Sequence, residues 1–423
     1  MHFTKRTKNG SLGISVGGSI TGNPNEPKKW KSRGKILNYK KPLIGVGMLY
    51  QTHVRIHLGN IRHNLEGIRR AVGPDRKILI AVKADGYGHG AVEVSRLAER
   101  IGIDWLGVAT VPEGIQLRQA GITLPILKLS HCFPEEMEAA VQNRITQTVV
   151  EFANAVALQQ ICEKLGMKTN VHLKVDTGMG RIGVSEKESP RLAAYIEKNC
   201  PQLNLEGIFT HLPVSDHADT AYTQEQIQRF KSTVVAIQTS IGRKVDLVHC
   251  SNSGAVLGHA SGWLDMVRPG IMIYGFYPDE ETPRTIDLRP GLSFLTRVSF
   301  VKKVKTGDSI GYGRTWIAPE DTWIATIPVG YADGFNRLFS NRGRVLIQER
   351  SYPIVGRVCM DQSMVNLGPE TSIQVGDEVV LIGKSGDQEI TGYEWAKALG
   401  TITYEVTCQI NSRVQRVFER DQS

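Results

Sequence analysis

The chain is 423 residues long, with 41% hydrophobic and 22% charged residues, a balance typical of globular proteins with two domains. No run approaches the roughly 20 apolar residues of a membrane-spanning helix, which argues against a membrane protein. The net charge of +9 lies in residues 1–47, which hold ten Lys/Arg and one acidic residue, so the rest of the chain has no excess charge to attract nucleic acid.

The first 50 residues are predicted to be a basic, disordered extension. Residues 1–47 are rich in Gly, Ser, Asn and Pro and show no amphipathic period. An organelle transit peptide and an upstream extension before a true start at Met48 are also possible. The six cysteines are scattered, with no CxxC pair and no His/Cys ligand spacing. That pattern predicts no metal site, and free thiols in a reducing cytoplasm.

Between about residues 60 and 275, short apolar runs alternate with helical patterns. The predicted strands are 78–82, 104–109, 125–129, 145–149, 171–175, 205–210, 246–250 and 266–273. The predicted helices are 60–72, 90–101, 112–120, 134–142, 151–165, 186–199 and 223–240. Eight strands with helices between them predict an α/β fold, a closed (β/α)8 barrel over 51–285, with an open doubly wound sheet as the alternative. The alternating run 51–57 is predicted to be a strand that could join either domain.

The sequence pattern changes after about residue 285. Short β runs separated by Gly, Asp and Pro are predicted at 293–304, 322–329, 343–349, 363–366 and 377–382. One helix, at 391–399, interrupts them. The segment 286–423 is therefore predicted to be a C-terminal, mainly β domain.

Lys83 is the first candidate for chemistry. It follows the apolar run 78–80 and precedes a glycine-rich turn and a helix start. Desolvation lowers the pKa of a lysine and makes its amine available to form a Schiff base. The alternative is a lysine at a strand end that reaches solvent.

Other candidates follow the later barrel strands, where catalytic groups of such barrels gather. They are Arg181 after strand five, His211 after strand six, Asn252 and Ser253 after strand seven, and Arg268, Gly270 and Ile271 around strand eight. A hydroxyl and backbone N–H donors suit a phosphate monoester, although Ser253 could instead cap a helix and Gly270 could be a bend. An amine nucleophile facing a phosphate site points to pyridoxal phosphate.

Eight motifs in order resemble those of the alanine racemase family, which are fold-type III pyridoxal-phosphate enzymes. The motifs span 81–90 (AVKADGYGHG), 172–183 (HLKVDTGMGRIG), 207–211 (GIFTH), 267–271 (VRPGI), 311–313 (GYG), 330–334 (GYADG), 359–361 (CMD) and 403–406 (TYEV). The resemblance covers roughly residues 52–418. It departs slightly from the family at Asp85, Gly86 and Gly254, without loss of a functional group.

The resemblance implies how pyridoxal phosphate is held. Lys83 would carry it as a Schiff base, and Arg268 would face the pyridine nitrogen. Its remaining contacts would come from Arg181, His211 and Asn252, with the phosphate bound by Tyr87, Ser253, Gly270, Ile271 and Tyr404.

The resemblance also implies two bases, because racemisation exchanges a proton on both faces of one carbon. Lys83 would serve one face and Tyr312 the other. Tyr312 would come from the partner subunit, so that the active site is shared in a homodimer. His211 would contact Tyr312, and Arg268 would contact His211.

The substrate contacts implied by the resemblance centre on Arg181, which would bind the substrate carboxylate. Met360 and Tyr331 would line the same pocket, and Asp361 would help to organise it. Lys174 would lie close to Arg181 and would be carbamylated, which changes its charge from positive to negative and orients the arginine.

The predicted function is therefore the interconversion of L-alanine and D-alanine in the cytoplasm, supplying D-alanine for peptidoglycan, with no nucleic-acid or membrane partner and no metal. The nearest alternative is a serine or broad-specificity racemase, since a pocket rejects an added hydroxyl poorly. Two more distant possibilities are a pyridoxal-phosphate-binding protein without turnover and a barrel decarboxylase. Cys359 is the residue that favours the decarboxylase.

Overall fold

The computed structural model describes residues 50–419. The extension predicted for residues 1–50 lies outside this range except for Tyr50, and it stays a prediction. The elements of the first part are β1 (His53–His57), α1 (Leu58–Val72), β2 (Lys77–Ala81), α2 (Lys83–Tyr87), α3 (Ala91–Arg100), β3 (Trp105–Val108), α4 (Val111–Gln119), β4 (Ile126–Lys128), α5 (Pro134–Gln142), β5 (Ile145–Val149), α6 (Phe152–Leu165), β6 (Thr169–Asp176), β7 (Val184–Ser185), α7 (Ser189–Asn199), β8 (Leu203–Phe209), α8 (Ala221–Ile241), β9 (Leu247–His249), α9 (Ser253–Gly258) and β10 (Met266–Val267).

Eight of these strands form a nearly closed parallel barrel. Their order is β10-β2-β3-β4-β5-β6-β8-β9, and every neighbouring pair is parallel. Between β9 and β10, the Asp265 carboxylate accepts from the Val248 N–H at 2.9 Å, and the Asp265 N–H donates to the Val248 carbonyl at 3.0 Å. The (β/α)8 barrel prediction is confirmed, and the open sheet is not what the chain forms.

Side chains fill the barrel rather than leaving a pore, as this fold requires. Leu79, Trp105, Leu127 and Met266 form a small apolar cluster inside it. Toward the carboxyl ends of the strands the buried residues become polar and include His172, Lys174, His249 and Arg268. Buried polar groups need partners, so this end of the barrel is where chemistry is to be expected.

The later elements are mainly β. They are β11 (Leu292–Arg297), β12 (Phe300–Val304), β13 (Ser309–Ile310), β14 (Trp316–Ile317), β15 (Thr322–Ile327), β16 (Arg344–Ile347), β17 (Arg350–Pro353), β18 (Ser363–Gly368), β19 (Glu378–Ser385), β20 (Gln388–Ile390), α10 (Gly392–Leu399), α11 (Thr403–Cys408) and β21 (Gln415–Glu419). The largest sheet has the order β17-β16-β19-β11-β1-β21, and β20 pairs with β19. The mainly β prediction is confirmed.

The first strand belongs to the late sheet. β1 pairs antiparallel with β11 and parallel with β21. The boundary 51–285 would place this strand with the barrel, and the question that the sequence left open is settled by its pairing. The two halves of the described chain are thereby joined in one sheet.

Three sequence predictions need correction. The run 266–273 is a two-residue strand followed by a 3-10 helix, Ile271–Tyr274, because Pro269 and Gly270 interrupt the ladder. The run 293–304 is two strands separated at residues 298–299. The late domain has a second helix, α11, which sequence pattern does not predict because its six residues are too few for a visible period.

Within residues 50–419, no helix is long and apolar enough to cross a membrane. The same residues contain no group of three or more His, Cys, Asp or Glu side chains that could hold a metal ion.

Candidate active site

Lys83 lies at the carboxyl end of the barrel. Strand β2 ends two residues earlier, at Ala81. Burial, and then the charge of Arg181, lowers the pKa of the Lys83 amine below its ordinary value. An amine with a lowered pKa is more often unprotonated near neutrality, which is the property that a Schiff-base lysine requires.

The backbone after Lys83 makes a left-handed turn. Residues 84–87 all have φ between 51 and 62°. A left-handed L-residue costs about 1–2 kcal/mol, and three of these four are not glycine. Hydrogen bonds hold the turn: the Glu113 carboxylate accepts from the Ala84 N–H at 2.7 Å, and the Asp85 carboxylate accepts from the first N–H of α3 at 2.9 Å. Strained backbone of this kind is typical of functional sites.

Glu113 is a site residue that the sequence pattern does not single out. Besides Ala84, its carboxylate accepts from the N–H groups of Ala109 at 2.8 Å and Thr110 at 3.1 Å. Its own N–H donates to the Thr110 hydroxyl, which completes a capping box at the start of α4. The Thr110-x-x-Glu113 spacing is a readable signal for the cap. The contact with the turn after Lys83 is not readable, because it joins that turn to the first turn of α4, 29 residues away in the chain.

A cavity of about 270 Å³ surrounds the Lys83 side chain. It contains every residue predicted to contact the cofactor, together with Lys174. The lining residues are Ala81, Lys83, Tyr87, Leu129, Lys174, Arg181, Phe209, His211, Asn252, Ser253, Arg268, Gly270, Ile271 and Tyr404. The barrel therefore brings together residues from six of its strand ends and one residue of the late domain, Tyr404.

One end of the cavity has the features of a phosphate cradle. The Ser253 hydroxyl accepts from the Gly270 N–H at 2.8 Å. A Cβ on Gly270 would lie 2.9 Å from the Tyr87 hydroxyl, so glycine keeps this space open. The cap of α9 is Asn252, whose side chain accepts from the Ala255 N–H at 3.1 Å. The capping alternative for Ser253 is therefore wrong, since its hydroxyl faces Gly270.

Two tyrosines border the same end. The rings of Tyr87 and Tyr404 are 6.0 Å apart, centroid to centroid. Burial raises the pKa of both phenols well above the ordinary value. Both hydroxyls therefore stay protonated and can donate to an anion.

Arg268 is buried against the barrel wall. It donates to His249 Nδ1 at 2.8 Å, to the Thr210 carbonyl at 2.7 Å and to the Cys250 carbonyl at 3.0 Å. Burial lowers its pKa to about 10, so it stays charged at neutral pH. The expected contact with His211 is not among these hydrogen bonds, because the guanidinium turns toward the three acceptors behind it. Arg268 influences His211 through its charge, which adds to burial in lowering the pKa of His211 well below its ordinary value.

Lys174 points into the barrel. The residue is 3% exposed, and its Nζ lies 5.2 Å from the centre of the Phe209 ring. Burial, and then the charges of Arg181 and Arg268, lowers its pKa to about 7. The uncharged amine is therefore readily populated near neutral pH. The predicted proximity to Arg181 is reflected in the lining of the cavity, which contains both side chains.

Three predicted site residues do not line this cavity. Tyr312, Tyr331 and Met360 are 72%, 44% and 53% exposed. Tyr331 and Met360 lie beside each other: the Tyr331 N–H donates to the Cys359 carbonyl and the Ala332 N–H to the Met360 carbonyl, both at 3.1 Å. They form a second surface on the late domain of the described chain.

This second surface is fixed by Arg413. Its guanidinium donates to the buried carboxylate of Asp333 at 2.7 and 3.0 Å, and to Asp361 at 2.8 Å. These contacts tie the loop of Tyr331 to the loop of Met360. Tyr331 and Met360 are therefore exposed side chains carried on a frame that is held in place by ion pairs.

Comparison with known proteins gives consistent results along the chain. The family model described as the alanine racemase N-terminal domain matches residues 56–278, and that of the alanine racemase C-terminal domain matches residues 292–418. An alanine racemase of Cutibacterium acnes is 51% identical over 367 residues, covering 86% of this chain and 97% of that protein. An alanine racemase of Desulforamulus reducens is 43% identical over 366 residues, covering 86% and 97%.

Solved structures agree. An alanine racemase of Clostridium difficile 630 superposes with a TM-score of 0.85 at 40% identity, covering 89% of this chain and 98% of that one. An alanine racemase of Bacillus anthracis with bound L-Ala-P superposes with a TM-score of 0.84 at 34% identity, covering 89% and 97%.

Proposed function

The chain belongs to the alanine racemase family and is an enzyme that interconverts L- and D-alanine, and we propose that it does so with pyridoxal phosphate held on Lys83 and with Lys83 and Tyr312 as its two bases. The observation that carries this proposal is the cavity in which an amine of lowered pKa, a buried guanidinium and a glycine-lined hydroxyl cradle meet.

The residues present fit that cofactor. Ser253, the Gly270 backbone and the Tyr87 and Tyr404 hydroxyls supply donors for a phosphate, with Asn252 and Ile271 beside them. A Cβ on Gly270 would fill the cradle. When bound, pyridoxal phosphate withdraws electrons from the substrate α carbon and makes its proton removable.

Arg268 would control whether the ring nitrogen of the cofactor carries a proton. It stays protonated and can only donate. A pyridine nitrogen held opposite Arg268 would have to accept and would carry no proton. Arg268 would thereby limit how far negative charge spreads from the α carbon, which would disfavour transamination.

The two bases come from different chains. Lys83 holds or releases a proton on one face of the α carbon. Tyr312 is 72% exposed in a single chain and does not line the Lys83 cavity, which is the expected condition of a residue that completes a neighbour's site. The proposed assembly is a homodimer in which His211 of one chain supports Tyr312 of the other.

The substrate carboxylate is held by Arg181, with Met360 and Tyr331 of the partner chain closing the pocket. Lys174 is carbamylated in this proposal. Only an uncharged amine reacts with CO₂, and a pKa of about 7 makes that form abundant. The carbamate replaces a positive charge with a negative one beside Arg181, so that attraction orients the guanidinium.

D-alanine supply for peptidoglycan in the cytoplasm is the proposed role. The six cysteines are all free, which suits a reducing compartment. The purified protein should show the visible absorbance of bound pyridoxal phosphate and convert L-alanine to D-alanine faster than L-serine to D-serine. Colour without turnover would contradict the assignment.

A complementation experiment tests the shared site. Inactive Lys83→Ala and Tyr312→Phe chains are mixed under conditions that let subunits exchange. One site of each mixed dimer then contains both wild-type bases, so activity should return. Exchange demonstrated by tagged subunits without recovered activity would refute the two-chain site.

A further inference from the structure

A chain of hydrogen bonds runs behind Arg268, away from the cavity. Arg268 Nη1 is 2.8 Å from His249 Nδ1, and His249 Nε2 is 2.9 Å from His172 Nδ1. The second nitrogen of His172, Nε2, is 3.4 Å from a carboxylate oxygen of Glu206. Both histidine rings are fully buried, whereas the Glu206 side chain is 18% exposed. These hydrogen bonds thus link Arg268 to a carboxylate that is partly exposed to solvent.

The groups at the two ends of this series of hydrogen bonds determine which atom donates in each of them. Arginine only donates, so His249 Nδ1 must accept and the ring proton of His249 sits on Nε2. That proton is donated to His172 Nδ1, which leaves the proton of His172 on Nε2. A carboxylate only accepts, so His172 Nε2–H donates to Glu206. A donor-only group and an acceptor-only group therefore require the same tautomer of both rings.

The surrounding structure keeps both rings neutral and in place. Burial lowers the pKa of both histidines, that of His249 well below its ordinary value, with the charge of Arg268 as the second cause for His249. The His249 ring stacks on Phe209 with centroids 4.9 Å apart and an angle of 1°. A Cβ on Gly207 would lie 2.5 Å from His172 Nδ1, so the glycine provides the space that the ring occupies.

We propose that Glu206 is a positioning residue of the active site, which acts through His172 and His249 to hold the guanidinium of Arg268. The negative charge of Glu206 stabilises the buried positive charge of Arg268 through the two polarised histidine rings. It can do so because consecutive hydrogen bonds strengthen one another. The inference rests on the proposed function only where it assigns Arg268 to the cofactor. The direction in which the hydrogen bonds from Arg268 to Glu206 are donated depends on the protein alone.

The first experiment reads the tautomers directly. Ring ¹⁵N chemical shifts of the ¹⁵N-histidine-labelled protein as purified should show His172 and His249 neutral at pH 7, each with its proton on Nε2. A proton on Nδ1 of either ring, or a charged ring, would overturn the proposal. This measurement needs no variant and does not depend on the cofactor.

The second experiment changes the far end of the chain. Glu206→Gln keeps the shape and an acceptor, whereas Glu206→Leu removes the acceptor; Glu138→Gln, in an exposed ion pair with Lys164, is the control. Losing a hydrogen bond to a charged group weakens what depends on it by about tenfold or more. Glu206→Leu should therefore shift the Arg268 side-chain resonances, weaken pyridoxal phosphate binding about tenfold and lower kcat with KM near the wild-type value.

In the Arg268 resonances, the cofactor affinity and kcat, Glu206→Gln should lie between wild type and Glu206→Leu. Glu138→Gln should match wild type in all three. A folded Glu206→Leu protein with wild-type histidine shifts, Arg268 resonances and cofactor affinity would overturn the proposal, even if its stability were lower. Arg268→Lys separates this failure from that of the proposed function. If this substitution leaves the visible spectrum and affinity of the cofactor unchanged, the assignment of Arg268 is wrong, while the tautomers still decide the role of Glu206.

Discussion

Lys174 makes the stability of this protein depend on pH in a way that can be calculated. Its folded-state pKa is about 7, against an ordinary value of 10.5. Between these values the unfolded chain holds a proton that the folded chain does not. The free energy of unfolding therefore rises with pH across this window and falls as pH decreases from 10.5 toward 7, with the full penalty of burying the charged amine present below pH 7.

The size of the effect follows from the shift. One pKa unit corresponds to about 1.4 kcal/mol, so the whole window is worth about 5 kcal/mol, of which about 1 kcal/mol is gained between pH 7 and pH 8. The comparison that isolates it is wild type against Lys174→Met, because titrating groups that do not interact with Lys174 cancel in the difference. In CO₂-free buffer, the stability advantage of Lys174→Met should shrink by about 1 kcal/mol from pH 7 to pH 8.

Urea unfolding followed by circular dichroism measures this difference, with Lys164→Met as the exposed control, since Lys164 is 70% exposed. Adding bicarbonate at pH 8 should stabilise wild type further and leave Lys174→Met unchanged, because a modification confined to the folded state stabilises it. Wild type and Lys174→Met with parallel pH dependence in CO₂-free buffer would refute the reasoning, because Lys174 would then not titrate near neutrality.

Three further substitutions test the site and its frame. Gly270→Ala places a Cβ 2.9 Å from the Tyr87 hydroxyl; binding of pyridoxal phosphate, measured by absorbance titration, should weaken by about 5- to 150-fold, the equivalent of an overpacking cost of about 1–3 kcal/mol. Arg413→Met removes the ion pair of the fully buried Asp333 carboxylate and leaves it with the Gly330 N–H and the Tyr50 hydroxyl as donors; the free energy of unfolding should fall by about 1.5–3 kcal/mol, as urea denaturation would show. Ala84→Gly relieves a left-handed φ of 52°; the urea midpoint should stay or rise, because a left-handed L-residue costs about 1–2 kcal/mol.

Each of these predictions has a contrary result. Unchanged cofactor affinity in Gly270→Ala would place the phosphate elsewhere. A wild-type urea midpoint in Arg413→Met would mean that water replaces the guanidinium. A clear loss of stability in Ala84→Gly, with the neighbouring Gly88→Ala as a reference for a collision with backbone at 2.3 Å, would mean that the turn is not strained.

Most of the barrel is predictable from local pattern. Each parallel strand is a short apolar run buried on both faces, and each is followed by a helix of recognisable period. One barrel strand departs from this rule: β10 has only two residues because Pro269 ends its ladder. In the late sheet, β21 is not predictable, because its pairing with β1 joins residues more than 350 positions apart.

The candidate site likewise contains residues that the sequence identifies and residues that it does not. Lys83, Arg181, His211, Ser253 and Arg268 are identifiable because the carboxyl ends of parallel strands meet at one mouth of a barrel. Glu113, His172, His249 and Glu206 are not, since nothing in their own sequence neighbourhoods indicates what they contact across the barrel.

Local sequence pattern is enough to predict most barrel elements and the side chains that reach the mouth of the barrel, because hydrophobic period and strand ends are local properties. The lowered pKa values of Lys83 and Lys174, the direction in which Arg268 points and the joining of β1 to the late sheet come from the assembled fold alone. Desolvation, charge proximity and strand pairing depend on residues that are distant in the chain, and folding alone brings those residues together.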